Sequence, residues 1–160
     1  MGTLPQLIEE DVRVLNRALE ELLKKSEAST ALIIDKGGFL ITQTACGDEL
    51  DTTTLAALSA ASFAATQGIA NLISEANFSS VYQQGETHSI LVVNVDEYSL
   101  LTVIFPAKVS VGAVKYFSSS TVKRIATQFQ VAHQRDPGAS LDLSLLNLAE
   151  TASVFTRKAG

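Results

Sequence analysis

The chain has 160 residues, of which 46% are hydrophobic and 18% charged, with 3 prolines; that is enough apolar material for one sizeable core and too little charge for a disordered segment. Its net charge of -5 and the lack of clustered Lys and Arg exclude nucleic acid as a main partner, since phosphate binding rests on such clusters.

The opening MGTLPQLIEEDVRVLNR has acidic residues where an export signal has basic ones, so a cytoplasmic protein is expected. A single cysteine, Cys46, cannot make an internal disulfide and agrees with a reducing compartment. The first element is a helix over residues 5–25: Pro5 suits a first turn, Glu9, Glu10 and Asp11 the positive end, and Lys24 and Lys25 the negative end. Ile8, Val12, Leu15, Leu19 and Leu22 make its apolar stripe.

TALIIDKGGFLITQT then reads as two strands joined by a turn at Asp35-Lys36-Gly37-Gly38, where glycine supplies a positive φ. The spacing of a phosphate loop is absent. Next comes a second helix with no charge from Thr52 to Ser74. Asp48, Glu49 and Asp51 precede it and suit its free N–H groups better than a cation site. Three further strands follow, Phe78 to Gln84, Ser89 to Val95 and Tyr98 to Phe105. Gly85-Glu86 and Asp96-Glu97 are their turns, and Pro106 is the stop. A third helix runs from about Ser110 to Arg135, with Val111, Val114, Val122, Ile125, Phe129 and Ala132 on one face. Residues 1–135 form one domain, and residues 136–160 a tail in which LDLSLLNLA is either an amphipathic docking segment or disordered.

ALII, ILVVNV and LLTVIF are apolar nearly throughout, so both faces of these strands are covered; FLITQT and FSSVYQQ mix in polar residues as edges do. Hairpin neighbours and two edges leave one order, 2-1-5-4-3. The expected fold is α+β, a five-stranded antiparallel sheet between helical layers.

On a wheel of ~100° per residue, the second helix gathers Leu55, Leu58, Ile69, Leu72 and Ile73 on one side, expected to lie on the sheet. Ala56, Ala57, Ala60, Phe63, Ala64, Gln67, Gly68 and Asn71 fall opposite, where Lys and Glu are usual. A membrane span is disfavoured by Ser59, Ser62, Thr66, Gln67 and Asn71 and by its place between strands. An internal helix covered by the tail remains open. A protein contact surface fits best, because small uncharged side chains permit close approach.

The strand over Phe78, Ser79, Ser80, Val81, Tyr82 and Gln83 lacks Lys and Pro, the usual guards of an edge. Joined to its copy across a two-fold, it would make a homodimer with a ten-stranded sheet.

No catalytic set is evident. His88 and His133 have no metal spacing with each other or with Cys46, no nucleophile elbow or glycine-rich nucleotide motif occurs, and Lys115, Lys123 and Arg124 read as a solvated face. A binding platform without cofactor is expected rather than an enzyme or a small-molecule sensor.

ALIIDKGGFLI, LDTTTLAALSAASFAATQGIANLI and LLTVIF followed by SVGAVKYF resemble the dynein light chain roadblock family, especially its bacterial MglB-like branch, over residues 5–135. The resemblance implies a roadblock/profilin-like fold and a homodimer whose central helices and third strands meet at the two-fold. It further implies a non-catalytic regulator of a bacterial Ras-like small GTPase of the MglA type, connected with cell polarity. That partner brings its own GTP and Mg²⁺, and its hydrolysis is stimulated without an arginine finger. A structural adaptor that leaves hydrolysis untouched is the alternative. The contact residues so implied are Ala57, Ala60, Ala61, Phe63, Ala64, Gln67, Gly68 and Asn71.

Overall fold

Apolar side chains on both faces of a strand require two covering layers, and the strands around Leu32 and Val103 are covered in this way. The computed structural model describes residues 4–44 and 47–135. In chain order they form α1 (Glu9–Ser26), β1 (Thr30–Asp35), β2 (Leu40–Thr44), α2 (Thr52–Leu72), β3 (Ser80–Gln84), β4 (His88–Asn94), β5 (Ser99–Pro106) and α3 (Val111–Gln134). Cys46 and the tail from 136 to 160 lie outside the described residues.

The sheet has the order β2-β1-β5-β4-β3, and all its pairings are antiparallel. It is the order expected from hairpin neighbours and edge composition. Strand alternation divides the core in two. Ala31, Ile33, Leu91, Leu101, Val103 and Phe105 point to one face and pack with Leu15, Leu19 and Leu22 of α1 and Val114, Ile125 and Phe129 of α3. Leu32, Ile34, Val92 and Leu100 point to the other and pack with Ala56, Ala60 and Phe63 of α2. One layer is therefore a helix pair and the other a single helix.

Two boundaries differ from the sequence reading. α1 begins at Glu9 rather than Pro5, because Asp11 accepts the backbone N–H of Ile8 at 2.8 Å and fixes the start of the helix there. Ile8, expected in the buried stripe, precedes the helix and is exposed. β3 begins at Ser80 rather than Phe78; the Phe78 carbonyl accepts instead from the Gln67 side chain of α2. Pro106 is the last residue of β5, as a residue without N–H allows at a strand end.

Candidate uncharged interface on α2 and β3

Helix α2 starts because Asp51 caps it. The carboxylate accepts the N–H of Thr54 at 3.0 Å and its hydroxyl at 2.6 Å, and these bonds hold the Asp51 carboxyl below the usual carboxylate range. Thereafter Ala and Leu sustain the helix for 21 residues. By length and composition it could cross a membrane; here it lies on the sheet, touching β1, β2, β3 and β5.

The side that lies on the sheet is not the one the wheel indicated. Ala56, Ser59, Ala60, Phe63 and Ala70 are buried, whereas Leu58 is 63%, Ile69 52%, Leu72 86% and Ile73 63% exposed. Leu58, Ile69, Leu72 and Ile73 were expected on the sheet and are corrected to the outside. Ala56, Ala60 and Phe63 were expected outside and are corrected to the inside. The reason is volume: the strands already present Leu32, Ile34, Val92 and Leu100, so the helix approaches with its small side chains and fills one gap with Phe63. Of the other expected contact residues, Ala57, Ala61, Ala64, Gly68 and Asn71 are exposed and Gln67 is half-buried.

Two features fix the position of α2. Gly38, at the β1–β2 turn with φ of 97°, approaches so closely that a Cβ built there would stand 3.1 Å from the Ala57 Cα. Gln67 donates to the Phe78 carbonyl at 3.3 Å, linking the helix to the segment before β3. Between these lies a groove of about 800 Å³ lined by Lys36, Phe63, Ala64, Gln67, Phe78 and Asn94 among others. Lys36 Nζ stands 5.9 Å from the Phe63 ring centroid. Burial lowers the Lys36 pKa, against the opposing pull of Asp96 and Glu97.

Strand β3 pairs with β4 through Ser80↔Val93 to Gln84↔Ser89 and is the last strand of the sheet, so its other edge has no strand beside it among the described residues. Phe78, Ser80 and Val81 are half-buried; Ser79, Tyr82 and Gln83 are exposed. Tyr82 stacks on Phe105 with centroids 6.2 Å apart, which stiffens this edge.

Among the described residues, no group of His, Cys, Asp and Glu is placed to hold a metal ion. His88 and His133 are both exposed, the latter with its ring 5.8 Å from that of Tyr98. The arrangement offers apolar surface and open backbone edge, which suit protein contact.

No curated protein matches the chain, but several solved structures do. An MglB with a tetrameric arrangement is 29% identical, with a TM-score of 0.75, over 82% of this chain and 99% of that one. Myxococcus xanthus MglB is 29% identical, with a TM-score of 0.73, over 79% and 96%. The gliding protein MglB from Thermus thermophilus is 28% identical, with a TM-score of 0.73, over 81% and 98%. Residues 15–105 match the Roadblock/LC7 domain, a span that takes in the chain from the middle of α1 to β5, and the chain belongs to that family.

Proposed function

We propose that this chain is a non-catalytic homodimeric regulator of a bacterial Ras-like small GTPase of the MglA type. The observation that carries the proposal is a long helix with no charged residue whose outer side exposes Leu58, Ile69, Leu72 and Ile73. Covering a fully exposed Leu or Ile side chain contributes about 1.5–3 kcal/mol before the costs of association, so a partner surface over this face is favoured. The free edge of β3 supports a second copy as one occupant, through a sheet continued across a two-fold. The MglB with a tetrameric arrangement supports self-association in a similar chain.

The GTPase is the other occupant and brings GTP and Mg²⁺ with it. The outer face of α2 has no arginine, so this helix supplies no cation to the transferring phosphoryl group. Stimulation then comes from binding one conformation of the GTPase better than another, where a tenfold preference corresponds to about 1.4 kcal/mol.

The test combines sizing chromatography with single-turnover GTP hydrolysis by the cognate GTPase. A complex containing a dimer of this chain, with faster hydrolysis, is expected. A complex with unchanged turnover would instead make the chain a structural adaptor, and a monomer with no complex would refute both. Ala64→Arg, on the exposed side beside the groove, should abolish the dimer or the complex while the circular dichroism of the protomer stays unchanged.

A further inference from the structure

A second depression lies on the opposite side of the sheet, between α3 and the β3–β4 pair. It has a volume of about 330 Å³ and is lined by Ser79, Ser80, Val93, Lys115, Ser118, Ser119, Val122 and Lys123. Val93 and Val122 belong to the margin of the α1/α3 core and form its apolar part. Every other lining side chain is a hydroxyl or an ammonium, and no carboxylate is among them.

Lys115 and Lys123 are eight residues apart on α3, so they stand ~12 Å apart along the axis, with Ser118 and Ser119 between them. Among the described residues neither lysine has an acidic partner. In a chain of net charge -5, two unpaired lysines around one basin make a local reversal of sign.

Ser118 adds an independent observation. It is 1% exposed, and its Oγ has no hydrogen-bond partner. Buried hydroxyls are nearly always paired, and an unpaired one costs about 1–3 kcal/mol. A group with several acceptor oxygens, held by the two ammonium ions, would satisfy it. Carboxylate ligands offer fewer acceptors than a tetrahedral oxyanion, and the four hydroxyls surround the basin on both walls.

We infer that the basin between α3 and β3 binds a phosphate-class oxyanion, with Lys115 and Lys123 supplying charge and Ser118 and its neighbouring serines the oriented donors. The volume admits more than the bare ion, so a small phosphomonoester is the fitting class. This inference is separate from the proposed GTPase contact on α2, although Ser79 and Ser80 lie on the β3 edge proposed for the second copy.

The experiment is a titration of the full chain with inorganic phosphate at constant ionic strength, read by calorimetry and by amide chemical shifts of α3. Saturable binding with shifts centred on residues 115–123 is expected. Glycerol phosphate should bind more tightly than inorganic phosphate, and sulfate, another tetrahedral dianion, should compete for the site. Lys115→Ser with Lys123→Ser should weaken binding at least tenfold, and Ser118→Ala should weaken it several-fold with the thermal midpoint nearly unchanged. Ser119→Glu, which places a negative charge at the rim, should abolish it. Shifts equal to those produced by chloride, or phosphate binding that survives the double lysine variant, would overturn the assignment.

Discussion

Asp11 is completely buried, yet it is fully engaged. Its carboxylate accepts the Ile8 N–H at 2.8 Å, the Gln128 amide at 2.7 Å and both guanidinium nitrogens of Arg135 at 2.7 and 2.6 Å. The Arg135 bonds, with smaller help from Ile8 and Gln128, outweigh the cost of burial and hold this carboxyl far below the ordinary carboxylate value. Since the folded pKa is lowered, the pair contributes fully above the unfolded pKa of ~3.9. Its contribution is lost as the pH falls below that value toward the folded one. Asp11→Asn should therefore lower stability at pH 7 by about 2–4 kcal/mol, measured by urea unfolding. It should also flatten the loss of stability between neutral and strongly acidic pH. Gly38 gives a second residue-scale expectation: with φ of 97° and the Ala57 backbone so near, Gly38→Ala should cost about 1–3 kcal/mol, read as a lower thermal midpoint.

At the scale of the element, α2 shows what a single sequence can and cannot reveal. Its lack of charge was legible. Its orientation was not, because a wheel separates faces only when polar and apolar residues differ between them. Leu58 and Leu72 on one side and Ala56, Ala60 and Phe63 on another give no such contrast. The volumes of Leu32, Ile34, Val92 and Leu100 beneath decided it, and those are known only once the strands are placed. α1 was easier to orient, since Leu15, Leu19 and Leu22 oppose Glu20, Glu21, Lys24 and Lys25. The exposed side of α2 can be probed in two ways. Leu58→Glu with Leu72→Glu should leave the protomer folded, with a thermal midpoint close to the parent's once dimers are absent, and should shift the sizing profile to the monomer. At Gly68 an added Cβ meets nothing within 4 Å in the protomer. Gly68→Ala should hence stabilise the isolated protomer by about 0.5–1 kcal/mol, while weakening any dimer or complex in which a second backbone approaches that glycine. Urea unfolding and sizing at matched concentrations separate the two effects.

For the whole molecule, strand order was readable because hairpin adjacency and edge composition together left one arrangement. Pairing of β1 with β5, from Thr30↔Ile104 to Asp35↔Ser99, followed from identifying β2 and β3 as edges. The clamp of Asp11 was not readable, since Arg135 lies 124 residues away and no local pattern relates the two. Likewise the α3 basin escaped notice: Lys115 and Lys123 looked like an ordinary wet helix face until Ser79 and Ser80 were brought opposite them.

The Asp11–Arg135 pair also has a practical geometry. It fastens the first turn of α1 to the end of α3, in the layer across the sheet from α2. A fluorophore or a sensor-chip linkage attached through an exposed side chain beside this pair, such as Glu10 or His133, would stand across the sheet from the leucine-bearing face, and immobilised protein would still present that face to whatever flows past.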